Sequence, residues 1–162
     1  MNKSIQFLRI YLNDHLAGAT LGVELAKRSQ RSNKGTPLGD FLAEFAAEAS
    51  TDKAHLEELM EVVGAGKNMM KSRAAWVAEK VGRLKGNGQL TGYSDLSRLI
   101  ELEGLMIGVT GKIGLWRSLV EAFPPPQPPP ADFQALLQRA EDQLGELQRR
   151  HKEAAAEAFG LG

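Results

Sequence analysis

The sequence predicts an all-α protein, a bundle of four long helices with a shorter fifth helix in one connection. Three observations point there. Ala, Leu, Glu, Lys, Gln and Arg dominate, and aromatics make up only 6% of the chain, a composition that favours helix over sheet. No alternating strand pattern of useful length occurs. Apolar residues instead recur at three- and four-residue steps over long stretches. The 162 residues suit one domain, taken here as 1–162, and suffice to bury a core.

The first helix is expected from about Ser4 to Gln30, with Ile5, Leu8, Leu12, Leu16, Ala19, Val23 and Ala26 on its seam. Gln6, Arg9, Asn13, Thr20, Glu24 and Lys27 fall on the wet face. The second starts at Thr36, an N-cap type, with Pro37 at the first helical position. Its seam runs Leu38, Phe41/Leu42, Phe45, Ala49, Asp52, Leu56, Leu59 and Val63, and Gly64 and Gly66 stop it. A shorter helix is expected over about Asn68–Lys85, ended by Gly86-Asn87-Gly88. The next long helix follows the N-cap Ser94 and carries Leu99, Leu102, Met106, Val109, Ile113, Trp116 and Val120. The run Pro124–Pro130 cannot be helical and reads as a stiff connector. The last helix spans about Asp132–Phe159, with Phe133, Leu137, Ala140, Leu144, Leu147, His151, Ala154 and Ala158 on its seam.

Connector lengths set the topology. Short links make the first two long helices antiparallel, and likewise the last two. The long middle connection, Gly64–Tyr93, can span the bundle, because an 18-residue helix covers about 27 Å. It therefore makes the second and third long helices parallel.

Glycines are spaced along two helices: Gly18 and Gly22 on the first, Gly104, Gly108, Gly111 and Gly114 on the third. Each interior Gly costs about 1 kcal/mol of helix propensity relative to Ala. The repetition predicts close helix approach, within the bundle or across a homodimer. The alternative is a ligand or partner helix on the glycine face beside Met69 and Met70.

Four polar residues interrupt apolar seams: His15, Asp52, Glu103 and His151. Glu48 lies four residues before Asp52 and His55 three after it, on one helix face. Antiparallel packing places His15 opposite Asp52 and His151 opposite Glu103. Two acid–histidine pairs follow, since an imidazole partner offsets part of the cost of burying a carboxylate. The same side chains are acceptable N/O ligands for one Zn or Fe at His15, Glu48, Asp52 and His55, with Glu103 and His151 as a second candidate pair.

The helix lengths, the crossover and Asp52-Lys53-Ala54-His55 within DKAHLEELM resemble the second helix of the ferritin-like superfamily. YLNDHLAGATLGVELAKR is similar to the first helix of bacterial members of that superfamily. The resemblance implies a ferritin-like four-helix bundle with one long crossover. A di-iron bundle takes a Glu from each of two helices and a Glu-x-x-His from each of the other two. Asp52/His55 would stand for one such pair and Glu103 for one single Glu. The first helix offers no seam Glu, and Gln148 stands three residues before His151. With at least two of six ligands absent, the resemblance implies a non-catalytic bundle with a structural or interaction role, and a mononuclear metal site or a small-ligand module as alternatives.

Other classes find no support. The formal net charge is zero, with 20 basic and 20 acidic residues, so no nucleic-acid footprint is expected. There is no cysteine, which removes thiolate metal sites and thiol catalysis. The start of the chain lacks a signal-peptide pattern, and the most apolar stretch, Leu99–Val120, contains Glu101, Glu103, Lys112 and Arg117, unlike a membrane span. A cytoplasmic protein is expected. No G-x-S-x-G, P-loop or dinucleotide pattern occurs, and GVTGKIG lies within a helix rather than after a strand.

Overall fold

In the computed structural model, the described residues are 2–65, 75, 76, 79, 92–126 and 132–160. They form four long helices: α1, Lys3–Ser32; α2, Pro37–Val62; α3, Asp95–Ala122; and α4, Phe133–Phe159. No strand occurs among the described residues. The shorter helix expected near 68–85, the Gly86-Asn87-Gly88 stop, Gly66, Met69 and Met70 lie outside them, save that positions 75, 76 and 79 are helical. Of the proline run, 124–126 are described.

Local chemistry explains each boundary. Asn2 caps α1 through its side chain, which accepts from the Ser4 amide. Thr36 caps α2, accepting from the Gly39 amide, with Pro37 behind it. Ser94 and Ser97 form a reciprocal capping box at α3. Asp132 caps α4 and Gly160 ends it in the left-handed conformation. Gly39 is required by contact: a Cβ there would stand 2.1 Å from the Asn33 carbonyl oxygen. The α1–α2 turn folds directly onto the first turn of α2.

Cross-helix bonds give the directions. Arg9, near the start of α1, donates to the Val63 carbonyl beyond the end of α2 at 2.7 Å. Tyr11 reaches Ser118 at 3.2 Å and Arg28 reaches Glu101 at 2.9 Å, so α1 and α3 are antiparallel. Arg117–Glu141 at 2.7 Å and Arg98–Glu157 at 2.8 Å run α3 against α4. Glu48 meets Gln143 at 2.6 Å and Asp52 meets Arg139, so α2 opposes α4. Consequently α2 and α3 point the same way.

The core draws on all four helices, with Leu12, Leu42, Leu56, Leu102, Trp116, Phe133 and Leu147 among its buried side chains. Trp116 stacks on Phe133 with ring centroids 6.2 Å apart. One expectation fails: Asn13, placed on the wet face by its register, is 1% exposed. The α1 stripe is wider than one seam, because α1 packs against both α2 and α3. No helix among the described residues is long and apolar enough to cross a membrane.

Candidate functional site

Asp52 is buried at the middle of α2. Its register with Leu56 and Leu59 turns it inward, as the periodicity predicts. A buried carboxylate needs compensation, and two cations supply it. Lys112 of α3 donates to Oδ2 at 2.6 Å, and Arg139 of α4 donates to Oδ1. Lys112 also donates to Gln143 Oε1, and Gln143 Nε2 donates to Glu48 Oε2 at 2.6 Å. The Lys112 ammonium lies 5.9 Å from the Phe45 ring centroid. Five polar side chains from three helices thus form one chain of bonds, with two carboxylates facing two cations.

Burial pulls the Lys112 ammonium below the usual lysine range, and the adjacent Asp52 charge opposes that shift. Desolvation of the charged form outweighs pairing here. The His15 imidazole is likewise lowered by burial, with Asp14 acting in the opposite direction.

The structure distributes the sequence-derived candidates differently from the acid–histidine scheme. His15 makes no hydrogen bond to Asp52, whose oxygens are taken by Lys112 and Arg139. It packs edge-on against Tyr11 at a ring distance of 4.5 Å. His55 has a buried Nδ1 without a partner among the described residues. The second pair does form: His151 Nε2 lies 3.0 Å from Glu103 Oε1. That pair is peripheral, since the Glu103 side chain is 52% exposed. The buried acid of α3 is instead Glu101, 6% exposed, held by Arg28 at 2.8 Å and by the Tyr93 hydroxyl at 3.1 Å. Two residues along a helix is about 200° of rotation, enough to exchange the edge for the interior.

These donors do not fit a metal centre of the ferritin-like kind. No three His, Asp or Glu side chains among the described residues converge as ligands, so His15, Glu48, Asp52 and His55 do not form one set. Two cations already hold the oxygens of Asp52, and their charge repels a metal ion at that point.

An open groove of about 300 Å³ adjoins the network where α1, α2 and α3 meet, and Asp14, Gly18, Ile107, Gly108 and Gly111 on its rim are exposed. Gly18 and Gly22 of α1 and Gly108 and Gly111 of α3 face it, while Lys112 and Asp52 reach its lining. Within this chain these four glycines do not serve close packing between helices. A Cβ at any of these four would meet no atom within 4 Å. Gly104 differs, since a Cβ there would stand 2.9 Å from Leu25 Cδ2. Close approach within the bundle holds at Gly104 and not at Gly18, Gly22, Gly108 or Gly111.

Sequence reading passed over Lys112, Arg139 and Gln143. A signal existed for two of them. Leu105, Val109, Lys112 and Trp116 lie at helical steps of four, three and four, and so do Leu136, Ala140, Gln143 and Leu147. Arg139 carries no such signal, because it reaches the interior from a partly exposed position.

Comparison with protein-family models, curated proteins and solved structures finds no match.

Proposed function

We propose that this chain is a non-catalytic ferritin-like helical bundle that acts by binding. The carrying observation is Asp52: the one acid on the seam of α2 is neutralised by Lys112 and Arg139. A group so engaged is a poor metal ligand and a poor general base. The helix directions support the ferritin-like reading. Parallel α2 and α3 require their connector to travel back along the bundle, the one-crossover arrangement. The lysine–aspartate–arginine cluster then takes the place of a metal as the link between helices.

The test is metal analysis of purified protein after incubation with Fe(II), Mn(II) or Zn(II). Less than about 0.1 equivalent bound, with no shift in Tm, is expected, because a ligand that binds only the folded state raises Tm. One bound equivalent that vanishes in Asp52→Asn would establish the Fe or Zn alternative instead.

A further inference from the structure

The outer surface of α3 carries large apolar side chains that the bundle does not use. Leu96, Ile100 and Ile107 are 51%, 58% and 73% exposed. Their spacing of four and seven residues sets them on one helix face. A single exposed apolar residue is ordinary, but a row of them marks an interaction surface. Further along the same face stand Gly111, Gly114 and Ser118, all exposed. A Cβ at Gly111 or Gly114 would meet nothing within this chain. The face is therefore bulky in its first half and small in its second. It carries no charge of its own. The charges beside it are already engaged inside the chain, Glu103 with His151 and Arg117 with Glu141.

We propose that this face is the interface of a homodimer, in which a second copy of the chain crosses α3 antiparallel on a twofold axis at Ile107. The order of side-chain sizes selects that occupant. Ile100 and Gly114 lie seven residues to either side of Ile107, and Leu96 and Ser118 eleven to either side. Turning a second α3 end for end about Ile107 thus sets Ile100 against Gly114 and Leu96 against Ser118, twice each. A parallel copy would set large against large and leave the glycines facing one another. An isologous contact needs such a self-complementary patch. The area is sufficient. The face from Leu96 to Ser118 is about 33 Å long. With the flank of α1 at Asp14 and Gly18, which are exposed beside it, it is roughly 20 Å wide. Two such faces bury about 1,300 Å² in total, within the range of stable specific interfaces. The proposal rests on α3 and does not depend on the ferritin-like reading.

The test is sedimentation velocity on the full chain over a concentration series, followed by cross-linking. The chain is expected to sediment as a dimer that dissociates on dilution. Ile107→Asp brings two carboxylates together on the axis and should raise the dimer Kd by about 100-fold or more. Gly111→Leu should also dissociate the dimer. Within one chain it fills open space and favours helix, so the resulting monomer keeps its circular dichroism. Orientation is read with single cysteines, since the chain has none of its own. Ile100→Cys mixed with Gly114→Cys should be joined by a short bis-maleimide. Ile100→Cys alone should not, because the antiparallel arrangement holds its two copies about 21 Å apart along the helix. Any of three results overturns the proposal: the chain is a monomer at about 100 times a micromolar Kd, the dimer survives both Ile107→Asp and Gly111→Leu, or Ile100→Cys couples to itself as readily as to Gly114→Cys. A monomer that keeps this face open would leave it to a different protein.

Discussion

At Asp52 a single carboxylate joins three helices, so its partners should be strongly coupled in stability. Lys112→Met leaves Asp52 with Arg139 alone, and Asp52→Leu leaves Lys112 buried without its acid. Each is expected to cost about 3 kcal/mol, the usual penalty for stranding one half of a buried pair. The double variant should recover most of that loss, since Arg139 is 33% exposed and can turn to water. A double-mutant cycle by urea denaturation measures the coupling, and additive losses would contradict it. His15 gives a pH prediction. Its folded pKa lies below the ordinary 6.5 because burial disfavours the charged ring. The unfolded chain therefore binds more protons between the two values, and stability rises with pH there. The contribution is fully present above about 6.5 and is lost as pH falls through the lowered value. His15→Gln should flatten the stability decline as pH falls below about 6.5, measured as the shift of the denaturation midpoint.

Among elements, glycines separate into classes that look identical in sequence. Gly18, Gly22, Gly108 and Gly111 face open space, so alanine at each should raise stability by roughly 0.5–1 kcal/mol through helix propensity. Gly39→Ala should instead lose about 1–3 kcal/mol, because its Cβ would collide with the Asn33 carbonyl. Thermal melts of the five single variants decide this, and a destabilised Gly18→Ala would refute the open-space reading. Two of the four N-caps were legible beforehand. Thr36-Pro37 and Ser94 announce helix starts by local chemistry alone, and both stand where expected. Asn33 was not legible. It sits in a polar turn, yet is buried, donating to Ser29 at 2.8 Å and to Tyr93 at 2.7 Å, and accepting from Arg98 at 3.0 Å. A turn residue acquires such a role only when α3 is brought against it.

For the whole molecule, two polar clusters tie the helices together at different levels. The Asn33–Tyr93–Glu101–Arg28 group joins the end of α1 to the start of α3. The Asp52 network joins α2, α3 and α4 near their middles. Between α2 and α4 the link is made largely by long polar side chains, including the Arg150 guanidinium 5.4 Å from the Phe41 ring centroid. The metal-loading experiment belongs to this scale, because it asks whether cations from two other helices have taken over the role of an ion. Desolvated and mutually bonded, these groups specify which helices meet more than they add net stability.

The four long helices, the Thr36 and Ser94 caps, the inward register of Asp52 and the antiparallel facing of His151 with Glu103 were readable from the chain. Each depends on periodicity or on chemistry within a few residues. Which cation meets Asp52, that Glu101 rather than Glu103 is the buried acid, and that Gly104 but not Gly18, Gly22, Gly108 or Gly111 meets a neighbouring helix were decided by tertiary structure. A helix pattern records that a side chain turns inward. What it meets there depends on the rotation and level of a neighbouring helix, and a single turn of 5.4 Å is enough to exchange a histidine for a lysine.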